Sequence, residues 1–222
     1  MRVYFDYLCP YAWRGAELAA RLAEPLELEF VWQHFSLWQS NYQPASEPIG
    51  NETAASEPAA SELAKKLWQH PLKPNILAGE DRGGWGLLPF LVSIAARAQD
   101  ASKETALRLA IFRSYHQGNN PFSQKILLDC AASVGLDAAE LALALDNPQH
   151  RETLEREHLT AKKHHVFGTP TFHFAGDQLA YFRVRELPKE DATAIKLFQD
   201  YRAMLDNYPF LETVKRPRAP KS

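Results

Sequence analysis

Cysteine is scarce here: Cys9 and Cys130 are the only two in 222 residues. Two thiols make no disulfide framework, so each is judged by its own surroundings. Charge of one sign is also lacking, with 25 Lys and Arg against 27 Asp and Glu. That balance removes the electrostatic case for nucleic acid or an anionic membrane as partner. No apolar run approaches the ~20 residues of a membrane helix. Strand-like sequence follows Arg2 at once, where a secretory signal would place a long apolar run. A cytoplasmic protein is the expectation. The glycines of "RGGWG", 82–86, have neither Walker nor dinucleotide spacing. None of the eight histidines pairs at i, i+4, so no metal site is expected. His173 is left facing either the core or a site.

What is present is a regular order of patterns. Arg2–Tyr7 is rich in aromatic and β-branched residues and reads as a strand. From Pro10 the period becomes helical, with Leu18, Ala19, Leu22 and Ala23 on one face. Leu26, Leu28, Phe30 and Trp32 then alternate with Glu27, Glu29, Val31 and Gln33, which predicts a second strand over Leu26–Gln33. Strand, helix, strand makes a βαβ unit with parallel strands. Ala/Ser/Glu/Pro-rich sequence from Ser36 to Gly84 can bury little and reads as a solvated loop with room for a short helix.

Helices are expected over 86–99, 102–117, 122–134 and 137–145, and from the Asn147-Pro148 cap to about His165. Thr171–Ala175 and Leu179–Val184 flank "GDQ" as a hairpin, and Pro188 opens a last helix. The tail "KRPRAPKS" is too short and proline-rich to pack. A four- or five-stranded mixed sheet follows.

Cys9 ends the first strand and Pro10 begins the helix. A cysteine at a helix start feels unpaired N–H groups and the positive end of the dipole, and both favour the thiolate. The expectation is a Cys9 pKa below the ~8.5 of a free cysteine. The competing reading is a small buried hydrophobe. Tyr11 and Trp13 flank the helix start, and Trp13 serves either as a wall of the site or as core. Asp6 caps, pairs with a cation or tunes the thiol. Cys130, in line with Ile126 and Val134, reads as core. A second motif, "VFGTPTFHF" (166–174), sets Gly-Thr-Pro directly before a strand. In thioredoxin-like folds a cis proline sits at this point and faces the cysteine, and the residue before it, here Thr169, can pair its backbone with an extended peptide or with glutathione.

Together these segments resemble the DsbA family, thioredoxin-fold proteins with a helical insertion. "FDYLCPYAWRG", "WQHFSLWQSN", "LLDCAASVGLDAAEL", "VFGTPTF" and "YPFLETVKRPRAP" are similar to cytosolic branches related to FrnE, to 2-hydroxychromene-2-carboxylate isomerases and to kappa-class glutathione transferases. The resemblance implies an α/β fold, a thioredoxin-like βαβ…ββα core with an inserted all-helical subdomain. One domain would span 1–222, with its core at 1–35 and 166–206, a loop and helical insertion at 36–165, and a tail at 207–222. Disulfide-exchanging members carry a cysteine where this chain has Ala12, and the isomerases and kappa transferases carry serine in place of the first cysteine.

The chain therefore sits between two activities. One is a thiol-dependent oxidoreductase working through Cys9 alone by a mixed disulfide. The other is a glutathione-dependent isomerase or transferase, and a non-catalytic binding module is a third reading. Pro10, Tyr11, Trp13, Thr169 and Pro170 are the expected thiol-binding residues. No tightly bound cofactor is expected. Glutathione or another small thiol is the candidate cosubstrate, small or protein disulfides are the candidate substrates, and a homo-oligomer stays open.

Overall fold

The computed structural model describes residues 1–41, 86–212 and 214. The chain begins with β1 (Arg2–Phe5), α1 (Pro10–Leu22), β2 (Val31–His34) and α2 (Leu37–Asn41). It resumes with α3 (Leu87–Gln99), a 3₁₀ turn over Ala101–Lys103, α4 (Glu104–His116), α5 (Gln124–Ser133), α6 (Ala138–Ala144) and α7 (Pro148–Lys163). It closes with β3 (Thr171–His173), β4 (Leu179–Tyr181) and α8 (Asp191–Asn207). The four strands form one sheet in the order β2-β1-β3-β4. β1 runs parallel to β2 and antiparallel to β3, and β3 and β4 form the antiparallel hairpin. This is the thioredoxin-like α/β arrangement with helices inserted between its halves.

β1 is the central strand, and Val3, Tyr4 and Phe5 are all fully buried. Alternation sends Val3 and Phe5 to one face and Tyr4 to the other. Phe5 meets Tyr7, Trp32 and Phe90 edge to face, with centroids 5.0, 5.4 and 6.1 Å apart. Tyr4 instead joins Phe35, Ala161 and Val166 in a smaller cluster on the α7 side. The helices cap as their sequences suggest. Asp137 accepts from the N–H groups of Ala139 and Glu140, and Asn147 from that of Gln149.

Several boundaries differ from the sequence expectation. The second strand begins at Val31, opposite Arg2, rather than at Leu26; just before Arg2, Met1 donates to Glu29 O and accepts from the Val31 N–H. Leu26 and Leu28 instead close the end of α1, bonding to the carbonyls of Leu22 and Ala23 around Glu27, whose φ is 49°. Their apolar alternation serves packing, since Leu26, Leu28 and Phe30 all lie against the core.

The hairpin strands are three residues each, because Ala175–Asp177 forms a 3₁₀ turn with Gly176 at φ 74°. The last helix starts at Asp191, three residues after Pro188; Arg21 holds the intervening stretch through Pro188 O (2.6 Å) and Asp191 Oδ1 (2.6 Å). Of the stretch expected as a loop, residues 37–41 form α2, while 42–85 and the "KRPRAPKS" tail lie outside the described residues. On α5 the fully buried positions are Leu127 and Ala131, while Cys130 is half-buried and packs against the edge of the core, so the core reading of Cys130 holds in part.

The inserted helices are tied to the sheet by buried charge. Glu157 of α7 accepts from His34 N–H (2.9 Å) and His34 Nδ1 (2.7 Å) with one oxygen, and from Arg97 Nη2 of α3 (2.7 Å) with the other. Burial pushes its pKa up, but His34 and Arg97 outweigh this and hold it down to about 2. Its neighbour His158, stacked on Phe35 at 5.0 Å, is held down to about 4 by burial.

Both shifts favour the fold at neutral pH and lose their contribution on acidification. For His158 the loss runs from the unfolded value near 6.5 down to about 4; for Glu157 it runs from the unfolded value near 4.5 down to about 2. We expect these two groups to lower the urea midpoint in two steps as pH drops through these windows, the upper one opposed by Asp6, whose buried carboxyl is raised to about 7 and gains stability as pH falls from there towards 3.8. His158→Gln should remove the upper step, worth roughly 3 kcal/mol; an unchanged profile in that variant would refute the assignment.

Candidate active site

The thiol sits where the sequence puts it, at the N-cap of α1, with extended backbone at φ −87° and ψ 114° and Pro10 in the first turn. Pro10 has no N–H to leave unsatisfied there. The chain is anchored on both sides of the thiol, since Trp13 N–H donates to Cys9 O at 3.1 Å and Cys9 N–H donates to Asp6 O at 3.1 Å. Opposite stands the Thr169–Pro170 peptide, which is cis as expected. Cys9 Sγ–H donates to Thr169 O at 3.2 Å. Gly15 meets the Pro170 ring, and a Cβ added there would lie 2.9 Å from Pro170 Cγ. α1 and the proline loop can approach this closely only because position 15 carries no side chain.

The environment of Cys9 reverses one expectation. Cys9 is 6% exposed, and burial pushes its thiol up from the ordinary cysteine range. Hydrogen bonding to Thr169 and to the N–H groups of Ala12 and Tyr11 opposes burial, and the Asp6 carboxyl adds to it. The helix start is present, but desolvation outweighs it, and the resting group is the S–H that bonds Thr169 O. Thr169 is itself fully buried. Its carbonyl is therefore engaged by the thiol, where the sequence expectation had it free to pair with a peptide.

Asp6 takes the capping role and, as the smallest of the influences on Cys9, the tuning role as well. It is fully buried, accepting Leu8 N–H at 2.8 Å and Leu37 N–H at 2.7 Å. Burial raises its carboxyl to about 7, against the pull of those two N–H groups. It thereby ties the turn before Cys9 to the start of α2. Trp13 packs against the core, and its side chain is held in place. Its ring stacks on His116 at 5.4 Å with 6° between planes. Its Nε1–H donates to Glu17 at 3.1 Å, and Arg113 grips the same carboxylate through two bonds of 2.7 Å. His116 Nε2 lies 2.9 Å from Tyr7 O, and burial lowers its pKa. Tyr11 lies under Arg183, whose Cζ is 4.2 Å from the ring centroid.

Cys9 and Thr169 thus meet at the sulfur, with Pro170 packed against Gly15 of α1 and Pro10, Tyr11 and Trp13 following Cys9 in the first turns of that helix. His173 is not among them. It pairs with Arg2 at the far end of β3, 4.9 Å from the His164 ring. Cys9 and Cys130 are both free thiols, and Cys130 lies half-buried on α5 with its pKa raised by burial. Sequence reasoning missed Arg14, His116 and Arg183. Arg14 was within the Cys-Pro motif itself, whereas His116 and Arg183 arrive from helix and hairpin with no local signal. Among the described residues, no group of three His, Cys, Asp or Glu is gathered to hold a metal, and no helix is long and apolar enough to cross a membrane.

This geometry has counterparts among solved structures. The cytosolic disulfide reductase DsbM from Pseudomonas aeruginosa, solved with GSH, superimposes with a TM-score of 0.56 at 17% identity, over 95% of this chain and 98% of that one. A 2-hydroxychromene-2-carboxylate isomerase gives 0.57 at 18% identity, with the same coverage. A probable DsbA oxidoreductase from Streptomyces coelicolor gives 0.56 at 16%, over 98% and 93% of the two chains. At these identities the likeness is one of fold. No curated protein matches the sequence. The family model of the DSBA-like thioredoxin domain matches residues 1–189, and this chain belongs to that family of thiol oxidoreductases and isomerases.

Proposed function

We propose that the protein is a cytoplasmic thiol–disulfide oxidoreductase that works through Cys9 alone, with a small thiol such as glutathione as its cosubstrate. The observation that carries this reading is the placement of Cys9 at the start of α1 against Thr169 and Pro170, with Ala12 where a partner thiol would stand. The Cys9 proton goes to solvent, and the thiolate attacks one sulfur of a disulfide. A Cys9–S–S–R bond forms, the S–S bond of the substrate breaks, and the other half leaves as a thiolate that takes up a proton. With no resolving cysteine, a second small thiol R′SH attacks the R sulfur, the Cys9–S–S–R bond breaks, and R–S–S–R′ leaves as Cys9 takes back a proton.

The raised Cys9 pKa gives this cycle a particular rhythm. A thiol of high pKa is slow to ionise but leaves reluctantly, so the mixed disulfide persists. Protein disulfides and small disulfides both fit as substrates, and no resident cofactor is required. The GSH in the DsbM structure supports glutathione as the class of cosubstrate.

A second reading is favoured by one observation, the neutral S–H of Cys9 at a helix start. That group could donate to the sulfur of a bound glutathione thiolate, making the protein an isomerase or transferase. Cys9→Ser separates the two. Under the leading reading this variant loses all disulfide reductase activity with glutathione. If glutathione conjugation or isomerisation of an aromatic substrate survives in the variant within about tenfold, the second reading replaces the first.

Two further outcomes are expected. Alkylation of Cys9 by iodoacetamide should rise with pH to a midpoint above that of a free cysteine, because burial favours the thiol; a midpoint below it would overturn the desolvation argument. Oxidised glutathione should leave one mixed disulfide per chain on Cys9 by mass spectrometry, and no internal bridge. Ala12→Cys should convert that adduct into an internal disulfide between Cys9 and the introduced thiol, and raise insulin reduction at least about tenfold. An internal Cys9–Cys130 bridge in the unaltered protein would instead sink the single-thiol reading.

A further inference from the structure

Two cations crowd one aromatic ring beside the thiol. Arg183 Cζ lies 4.2 Å from the Tyr11 ring centroid, and Arg14 Cζ lies 5.7 Å from the same point. The two guanidinium carbons are therefore within about 10 Å of each other, close enough to repel. Arg183 is held there by the hairpin. Its Nη1 donates to Tyr181 OH at 2.9 Å. The Tyr181 ring covers Gly168, where an added Cβ would come within 3.0 Å of it. Gly168 immediately precedes Thr169, whose carbonyl takes the Cys9 S–H. The Cys9 sulfur lies within electrostatic reach of Arg183. Arg14 is placed by α1, with Nη1 3.3 Å from Pro10 O and Cζ 5.5 Å from the Trp13 centroid.

Among the described residues, neither guanidinium meets a carboxylate. The acid closest to hand on α1, Glu17, is occupied by Arg113 and Trp13. Arg183 is exposed and Arg14 half-buried, so both can reach a ligand. Two like charges gathered on one ring are stabilised by an anion set between them, and the guanidinium fork fits a carboxylate in particular.

We propose that Arg14, Tyr11 and Arg183 form a carboxylate-reading subsite, and that the thiol or disulfide exchanging with Cys9 is a small anionic one. The inference rests on the reading of Cys9 as an exchange thiol. The arginines hold the half that becomes bonded to Cys9; the other half departs as the thiolate described above. They also stabilise the negative charge that develops on sulfur during attack.

The test uses three disulfides of similar size and different charge: dithiodiglycolate (anionic), hydroxyethyl disulfide (neutral) and cystamine (cationic). Adduct formation on Cys9 is followed by mass spectrometry in a Cys130→Ser background. Each rate is divided by that of the same probe with an uncharged cysteine derivative. The normalised anionic-to-cationic ratio should be at least about tenfold and should shrink as salt is raised. It should approach unity in the Arg14→Gln/Arg183→Gln double variant and invert in Arg183→Glu. Taking ratios removes any common change in the Cys9 pKa. If hydroxyethyl disulfide labels Cys9 but the ratio is near one, or ignores the arginine changes, the subsite is overturned while the exchange reading stands. If no probe labels Cys9 in the folded protein, the exchange reading fails and the subsite falls with it.

Discussion

Everything at the candidate site depends on how closely α1 can approach the loop before β3. The contact is made by Gly15 against the Pro170 ring, and a single methyl group at position 15 would come within 2.9 Å of that ring. This closeness brings Cys9 to Thr169, 160 positions away in the chain, and lets sulfur bond the backbone carbonyl. It also buries the thiol. The contact that assembles the site thus also desolvates the nucleophile, and desolvation is what sets its chemistry.

Around that contact the protein keeps a set of buried polar groups, each with a distinct task. Asp6 satisfies two backbone N–H groups, one before Cys9 and one at the start of α2, and so fixes the turn that delivers the thiol. Glu157 joins β2, α3 and α7, holding the inserted helices on the sheet. Tyr7 and Ser93 share a hydrogen bond between the first turn and α3. Arg108 lies over Trp32 at 4.5 Å and pairs with Glu104 at 2.9 Å. A buried carboxylate persists only where bonds compensate its lost hydration. Asp6, with N–H donors alone, rises to about 7, while Glu157, with His34 and Arg97 as partners, falls to about 2.

In the proposed exchange, a single buried thiol and two arginines, one exposed and one half-buried, divide the work at the site. Dithiol enzymes resolve a mixed disulfide from within, through a second sulfur one helical turn away. Here that position is Ala12, itself fully buried, so resolution has to come from solvent. A high-pKa cysteine is a poor leaving group, which lengthens the life of the adduct and makes recognition of the incoming thiol matter more. The cationic face of Tyr11 lies where such recognition would act.

The sequence by itself determined the element order, the parallel β1–β2 pair, the hairpin and the meeting of Cys9 with Thr169 and Pro170. The first three follow from local signals, a period of two or of 3.6 and proline at a helix start, whereas the meeting of Cys9 with Thr169 and Pro170 was implied by the resemblance of the two motifs to thioredoxin-like folds. It also carried the absence of a partner thiol, since Ala12 is read directly. Tertiary structure alone decided the start of β2, because the N–H groups of Leu26 and Leu28 are taken by the carbonyls at the end of α1. It decided that Cys130 is only half-buried and that His173 faces His164 instead of the sulfur. It brought Arg183 and His116 to the site from distant elements, which no spacing rule records. Above all it decided the ionisation of Cys9. A helix start is a local feature visible in sequence, but desolvation is the sum of everything packed around an atom, and that sum exists only once the chain has folded.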